Sequence, residues 1–344
     1  MRVCAEDVAV KGAQPDRVRL IDVATVAEVT KSIVSRVLNA DPTVAVRPET
    51  RQRILQVAHD LGYQPHAGAR ALAKSRTMAL ALVAPSIDNP PYITIARGAY
   101  RRAAEHGYLS LLAEDFDEQP AGRSLIDGGR VDGLLMGSFV PDHPLVAHLR
   151  ESSFPHVFVN RAVAGSGRNV TMNVARASEL AVEHLTGLGH RRVAHLAGPA
   201  EVESGADRLA AFESAIGARG LPLLPPMFGD FTEATGFASA GALLETGPTA
   251  IFTSSPGQAI GVMRFLVDAG LRVPEDLSVI AYGDFPAAGF TVPAVTTIAL
   301  PLLELGAAAV DEIVAQLDGA PPRDLVIPQE PRLLVRESTG PAPR

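Results

Sequence analysis

The sequence predicts an α/β protein that combines a small all-α head with a two-lobed body of doubly wound parallel sheets. Residues 19–39 have the apolar spacing of two short helices joined by a tight turn. From residue 77 onward, short apolar runs alternate with amphipathic stretches in two successive series. Apolar strands that alternate with helices are typical of parallel sheets covered on both faces. Each series therefore predicts one lobe.

The composition limits the class of protein. The 344 residues are 47% hydrophobic, which is enough for two or three domains with substantial cores. The single cysteine, Cys4, excludes an internal disulfide and a multi-thiolate metal site. No apolar run is as long as a membrane span, and the N-terminal stretch lacks the apolar core of a signal peptide. We therefore expect a cytoplasmic protein with no membrane partner.

Charge is divided unevenly along the chain. Residues 1–76 carry 12 Lys and Arg against 8 Asp and Glu, whereas the whole chain has a net charge of -7. A basic head on an acidic body suits a protein that contacts nucleic acid through the head alone.

The head is predicted to hold three helices within residues 18–63. Residues 1–17 have no periodic pattern and are predicted to form a disordered N-terminal extension, unless they reflect an upstream start codon assigned in error. Thr30 offers a hydroxyl to cap the second helix, Pro48 suits the first turn of the third, and Gly62 ends it. The side chains that the third helix is predicted to bury are Ile54, Leu55, Val57, Ala58 and Leu61.

The second helix carries polar side chains whose spacings of one, three and four residues place them on one face. They are Lys31, Ser32, Ser35, Arg36 and Asn39. The helix is too short to be stable alone, so its apolar face must dock on the first helix and leave these donors outward. Such a stripe fits the major groove of DNA, where Arg pairs with a guanine edge. The alternative is an ordinary helical hairpin with a solvated polar face.

The body is predicted to hold strands at 78–84, 109–113, 133–136 and 157–159 in the first series, and at 192–197, 250–253 and 278–281 in the second. A helix and two final strands, within 324–330 and 332–338, follow the second series. A ligand in such an architecture binds in the cleft at the carboxyl ends of the strands.

Two strings, VSRVLN and RQRILQVAHDLGYQP, resemble the headpiece of the LacI family of transcription regulators. The resemblance is close over residues 19–76 and continues more loosely almost to the C-terminus. It implies a helix-turn-helix head at 18–63, a hinge at 64–76 and a periplasmic-binding-protein-like core at 77–340. Because the final helix and strands of the family cross back between lobes, the N-lobe would span about 77–174 plus 300–328, and the C-lobe about 175–299 plus 329–340.

The resemblance also implies a homodimer on a pseudo-palindromic DNA operator. Arg36 would contact a base with Lys31 and Ser32 beside it, while Ser35 and Asn39 would suit phosphate contacts. In the hinge, His66 stands where the family usually has Asn and is predicted to contact DNA as well. Leu72 would wedge into the minor groove from each subunit. A flexible linker with an incidental leucine is the alternative for this segment.

Matched by position, the family's cleft-lining residues correspond to Tyr92, Asn160, Ser204, Arg208, Phe231, Ser255 and the pair Gly283-Asp284. Three carboxylates or amides that many members use for sugar hydroxyls are absent or neutral here, at Asn160, Ser255 and Gly283. Arg208 remains. We therefore expect a sugar-like effector that is anionic, such as a sugar phosphate or sugar acid; the alternative is that effector binding has been lost. The effector would act allosterically by changing the angle between the lobes.

Enzymatic function has little support in the sequence. No Walker loop, GxSxG or HExxH motif occurs, and the spacing of His184, His190 and His195 matches no standard zinc motif. We expect neither a cofactor nor a metal. Two alternatives to a regulator remain: a solute-binding protein of the same architecture with a vestigial head, and an intracellular sugar-modifying enzyme.

Overall fold

The computed structural model describes residues 18–39, 41, 43–63, 76–87, 90–114, 121–137, 142–199 and 203–343. The predicted N-terminal extension and most of the hinge, with His66 and Leu72, lie outside the described residues. The chain divides into two units, a head at Met1–Thr77 and a body at Met78–Arg344.

The head contains the three predicted helices: α1 at Leu20–Val26, α2 at Lys31–Leu38 and α3 at Pro48–Asp60. The Thr30 hydroxyl accepts a hydrogen bond from the Ile33 amide at 3.4 Å, which confirms the predicted cap. Pro48 is the first residue of α3, and Gly62 follows that helix with φ +65°. Local sequence signals thus set where these helices begin and end.

The core of the head lies where the three helices meet. Val34 and Val37 of α2 pack with Val23 of α1 and Ile54 of α3, and all four side chains are buried. The prediction that Leu55 is buried was wrong, because it is 48% exposed. Ile54 and Ala58 lie one turn apart on the core side of α3, and Leu55 is rotated about 100° from Ile54 around the axis.

In the described part of the body, strands form two six-stranded sheets. The strands of the first sheet are β1 Ala79–Ala84, β2 Leu109–Glu114, β3 Gly133–Gly137, β4 His156–Val159, β5 Asn169–Thr171 and β11 Leu325–Val326. Those of the second are β6 Val193–Ala197, β7 Met227–Phe228, β8 Ala250–Thr253, β9 Ser278–Tyr282, β10 Thr296–Ala299 and β12 Arg332–Leu334. The strand orders are β11-β5-β4-β3-β1-β2 and β12-β10-β9-β8-β6-β7. All pairs are parallel except β10 with β12. The predicted α/β class with two parallel-sheet lobes is confirmed.

The helices of the body are α4 Pro90–Glu105, α5 Ala121–Asp127, α6 Pro144–Arg150, α7 Val174–Gly187, α8 Glu203–Gly217, α9 Glu233–Glu245, α10 Pro256–Asp268 and α11 Leu302–Leu317. In the described part of the body, no helix has both the length and the apolar character needed to cross a bilayer.

Each lobe contains one pair of helices whose backbones touch through glycine. In the first lobe, a Cβ added at Gly98 of α4 would lie 2.0 Å from the Leu303 carbonyl oxygen, and one added at Gly306 of α11 would lie 2.0 Å from the Ile95 carbonyl oxygen. In the second, Gly236 of α9 and Gly261 of α10 meet backbone atoms of the facing helix just as closely. Side chains larger than hydrogen cannot fit at these crossings.

Three chain segments connect the lobes, because β5, β10 and β11 are each followed by an element of the other lobe. These segments are residues 172–173, 300–301 and 327–331. The Asn173 side chain accepts from the Arg176 amide at 3.2 Å, which caps α7, and donates to the Glu330 carboxylate at 3.3 Å. One amide thereby joins two of the connections.

Candidate functional site

The polar face of α2 is formed as the sequence predicts. Lys31, Ser32, Arg36 and Asn39 are exposed, and Ser35 is half-buried. Because Val34 and Val37 anchor the opposite face in the core of the head, the polar stripe is held outward. Asn39 approaches the Ser35 hydroxyl at 3.5 Å, at the limit of a hydrogen bond.

Arg36 makes contacts that the sequence did not suggest. Its Nε donates to Asp41 Oδ2 at 2.8 Å, and its Nη2 donates to the Thr43 hydroxyl at 2.7 Å. The side-chain hydrogen bond from Arg36, followed by those from Thr43, lowers the pKa of the Asp41 carboxyl to about 2. Arg36 is thus fixed by the loop that follows its own helix.

A second cluster of candidate side chains lies at the carboxyl ends of the strands in the second sheet. Arg208 of α8 places its guanidinium carbon 4.2 Å from the ring centroid of Tyr282 and 5.2 Å from that of Phe231. Its Nη1 donates to the Ser254 carbonyl oxygen at 2.8 Å. Among the described residues, no carboxylate forms an ion pair with Arg208. The arrangement is a half-buried cation between two aromatic faces, which attract it electrostatically.

Tyr282 was missed by the sequence analysis. It is the last residue of β9, it is almost fully buried, and its hydroxyl has no hydrogen-bond partner among the described residues. Burial raises the pKa of this phenol. An unsatisfied buried hydroxyl is costly, and a bound polar ligand or a water molecule would remove that cost. The signal that could have found it is an aromatic residue at a strand end, directly before Gly283.

Gln258 was also missed, and it holds the edge of this site together. Its side-chain nitrogen donates to the carbonyl oxygens of Ala197 at 3.1 Å and Asp230 at 3.0 Å. Its side-chain oxygen accepts from the Ser254 amide at 2.9 Å. The fully buried amide therefore fixes the end of β6, the residue after β8 and the loop that carries Phe231.

Ser255, which was matched to the family's cleft, forms two hydrogen bonds within the body. Its hydroxyl donates to the Phe231 carbonyl oxygen at 2.8 Å. It also accepts from the backbone amide of Gln258 at 3.1 Å, which caps α10. Both bonds are internal, and they position Phe231 and the first turn of α10.

Asp284 is likewise engaged within the body. Its Oδ1 accepts from the Thr297 hydroxyl at 2.7 Å and lies 3.0 Å from an Arg336 nitrogen. Gly283 precedes it with φ +91°, a conformation that favours glycine. Asp284 therefore holds the C-terminal segment through Arg336, and Gly283 contributes only its backbone at the end of β9.

The first sheet places two predicted residues at its own carboxyl edge. Asn160 follows β4 with φ +73°, and its backbone amide donates to the Val170 carbonyl oxygen at 3.0 Å. The Tyr92 ring lies near the end of β3, since a Cβ added at Gly137 would be 3.5 Å from it. Ser204 falls within α8, but its side chain lies outside the described part of the chain.

The three histidines of the second lobe are structural. His195 is buried between the rings of Phe212 and Phe252, with centroid distances of 4.8 Å and 4.9 Å. Its Nδ1 is 3.0 Å from the Phe252 carbonyl oxygen. His184 contacts Thr339 and His190 contacts Gly340, so both hold the C-terminal segment. The described residues contain no group of His, Cys, Asp or Glu side chains that could hold a metal ion.

Comparisons with known proteins cover both units. Residues 19–66 match the family model of bacterial regulatory proteins, lacI family, and residues 182–339 match that of the periplasmic binding protein-like domain. The chain is 30% identical over 334 residues to catabolite control protein A of Priestia megaterium, covering 94% of this chain and 99% of that protein. It is 32% identical over 307 residues to the ribose operon repressor of Escherichia coli, covering 86% and 92%. These relatives are regulators, which agrees with the prediction that the protein is not an enzyme.

Solved structures give the same result. The lac repressor dimer bound to operator and the anti-inducer ONPF superimposes with a TM-score of 0.81 at 26% identity, covering 94% of this chain and 100% of that one. The complex of the transcriptional regulator CelR with cellobiose has a TM-score of 0.71 at 30% identity, with the same coverage.

Burial of His195 makes the stability of the body depend on pH. Desolvation lowers the pKa of this imidazole to about 4, from 6.5 in an exposed histidine. The unfolded chain therefore binds the proton more readily, so the contribution of His195 is complete above pH 6.5 and is lost as pH falls toward 4. Between pH 7.5 and 5, we expect wild type to lose about 2 kcal/mol more stability than His195→Gln.

Urea unfolding at the two pH values measures this difference. His59→Gln, at an exposed histidine of the head, is the control and should follow wild type. If wild type and His195→Gln lost the same free energy of unfolding between the two pH values, the lowered pKa of His195 would be contradicted.

Proposed function

Because this chain belongs to the lacI family of bacterial regulatory proteins, we propose that it is a cytoplasmic, sequence-specific transcriptional repressor. It binds a pseudo-palindromic operator as a homodimer, and a small effector at the carboxyl edges of the two sheets controls that binding. The observation that carries the proposal is the outward polar face of α2, which is fixed on a folded three-helix head.

The α2 face supplies the chemistry of DNA recognition. Arg36 suits a guanine edge in the major groove, with Lys31 and Ser32 beside it, and Ser35 and Asn39 suit phosphate oxygens. His66 and Leu72 of the hinge would contact the minor groove at the centre of the operator. The superposition on an operator-bound lac repressor supports this use of the head.

The body carries exposed apolar surface suited to a second copy of the chain. In the first lobe, α4 and β2 border a groove of about 310 Å³ lined by Ile93, Tyr100, Leu111 and Leu112. β2 ends its sheet, and Leu109 on it is 68% exposed. An open apolar edge strand favours association. In the second lobe, Phe290 is 87% exposed. One head makes few base contacts, so a two-fold dimer on paired half-sites supplies the specificity.

The effector site is proposed for an anionic sugar derivative. The Arg208 cation lacks a carboxylate partner among the described residues, and the buried Tyr282 hydroxyl beside it lacks any hydrogen bond there. Ser255 and Asp284 are engaged in internal bonds, which leaves few acceptors for the hydroxyls of a neutral sugar. Tyr92 and Asn160 would contact the effector from the first lobe, with Ser204 near Arg208. Relatives solved with cellobiose and with ribose support a sugar-like effector.

DNA recognition is tested with an operator selected from a random duplex pool by the full-length protein. We expect Arg36→Ala to lower affinity for the selected duplex about tenfold or more, since a bidentate base contact contributes 1–3 kcal/mol. Binding to a scrambled duplex should change far less. Fluorescence anisotropy at two salt concentrations measures both. Arg53→Ala on exposed α3 removes the same charge and should retain selectivity. Failure of wild type to enrich any sequence would refute the proposal.

Dimerisation is tested by Leu109→Glu, which places a charge on the open edge of β2. We expect this variant to sediment as a monomer and to bind the operator more weakly, because a buried unpaired carboxylate opposes association. Val326→Glu is the matched control, since Val326 is 62% exposed on β11 at the opposite edge of the same sheet. A Leu109→Glu protein that remains dimeric would remove this surface from the proposal.

The effector chemistry is tested with matched sugars: ribose against ribose 5-phosphate, and glucose against glucose 6-phosphate. By calorimetry, we expect a phosphate ester to bind at least about tenfold more tightly than its neutral sugar, and Arg208→Gln to abolish the difference. Arg264→Gln removes an exposed charge of the same lobe and should behave as wild type. Tight binding of a neutral sugar and none of its phosphate would contradict the anionic assignment.

A further inference from the structure

The contacts of Arg36 use only one edge of its guanidinium group. Nε and Nη2, which lie on the same side of the planar group, donate to Asp41 and Thr43. The second edge, formed by Nη1 and the other hydrogen of Nη2, has no hydrogen-bond partner among the described residues. That edge has the two parallel donors that match O6 and N7 of guanine.

Asp41 and Thr43 are hydrogen-bonded to each other as well as to Arg36. Asp41 Oδ1 accepts from the Thr43 amide at 2.8 Å and from the Thr43 hydroxyl at 2.7 Å. The Thr43 hydroxyl gives its hydrogen to Asp41 and accepts from Arg36, so its donor and acceptor roles are consistent. The Asp41 amide donates to the Arg36 carbonyl oxygen at 2.9 Å, which ties the loop to the end of α2.

We propose that Asp41 and Thr43 are specificity-determining residues that position Arg36, so that its free edge is presented to a guanine before DNA is bound. A long arginine side chain otherwise samples many rotamers, and each must be frozen when the base contact forms. Fixing one edge in the unbound head removes most of that freedom. The inference rests on the proposed function, since it assumes that α2 contacts bases.

The charge of Asp41 gives the proposal a signature of its own. The carboxylate carries a full negative charge near neutral pH and accompanies a helix that approaches DNA phosphates. Its removal raises the net charge of the head by one, which strengthens attraction to any DNA sequence. Removing Asp41 should therefore weaken selective binding while strengthening non-selective binding. Loss of folding would weaken both.

The test compares four full-length proteins: wild type, Asp41→Ala, Thr43→Val and Thr43→Ser. Thr43→Val removes the hydroxyl with little change of shape, and Thr43→Ser restores it. The DNA probes are the duplex selected by wild type, a scrambled duplex, and selected duplexes in which each half-site guanine in turn is replaced by 7-deazaguanine. The replacement removes the N7 acceptor and leaves base pairing intact.

We expect wild type to lose affinity about tenfold on one 7-deazaguanine duplex. For Asp41→Ala and Thr43→Val the same replacement should cost about twofold, because Arg36 no longer presents its edge to that guanine. Thr43→Ser should recover the wild-type penalty. Asp41→Ala should also bind the scrambled duplex more tightly than wild type and depend more steeply on salt.

Two results would overturn the inference, and they are distinguishable. In the first, Asp41→Ala and Thr43→Val lose as much affinity on the 7-deazaguanine duplex as wild type does, while Arg36→Ala loses none. Arg36 would then contact the guanine without being positioned by Asp41 and Thr43, and the proposed function would stand. If wild type shows no guanine-dependent loss and no selectivity, the inference fails together with the proposed function. Amide exchange over residues 20–38 reports folding; if Asp41→Ala unfolds the head, the Thr43→Val and Thr43→Ser pair decides.

Discussion

The candidate effector site depends on one buried amide, that of Gln258. Its three shortest side-chain hydrogen bonds, at 2.9–3.1 Å, satisfy backbone groups at the ends of two strands and in the loop before α9. A side chain without these groups would leave a donor and two acceptors unsatisfied in a dry interior, at a cost of about 1–3 kcal/mol each. Because Arg208 is bonded to the Ser254 carbonyl and Gln258 to the Ser254 amide, the position of the cation follows from that of the amide. Apolar packing has no direction, so packing alone would fix the positions of these groups less closely than the hydrogen bonds do.

Much of the fold could be predicted from hydropathy, since a parallel strand covered on both faces must be apolar along its whole length. Three strands escaped this criterion. β5 and β7 have three and two residues, too few to give a pattern. β10 contains Thr296 and Thr297, whose buried hydroxyls bond to Thr339 and Asp284. Partners that come from distant parts of the chain make a polar residue acceptable in the core, and no local window contains them.

The site was predictable in position but only partly in role. Arg208 and Phe231, both matched to the family's cleft, lie together in the structure, with the guanidinium carbon 5.2 Å from the ring centroid. The sequence did not indicate that Ser255 caps α10 or that Asp284 forms an ion pair with Arg336. A position in an aligned motif specifies where a side chain starts, whereas its role depends on the hydrogen-bond partners that the fold brings to it.

The glycine crossings have a consequence for how the body can move. With backbone against backbone, α4 and α11 have no layer of side chains that could reorient and let the helices slide, and the same holds for α9 and α10. We therefore expect each lobe to move as a rigid body. Any angular change must be absorbed by backbone rotations at residues 172–173, 300–301 and 327–331, where one side chain, Asn173, spans two of the three joints. We expect a change in the angle between the lobes to occur as rotation about these three connections rather than as a change of shape within either lobe.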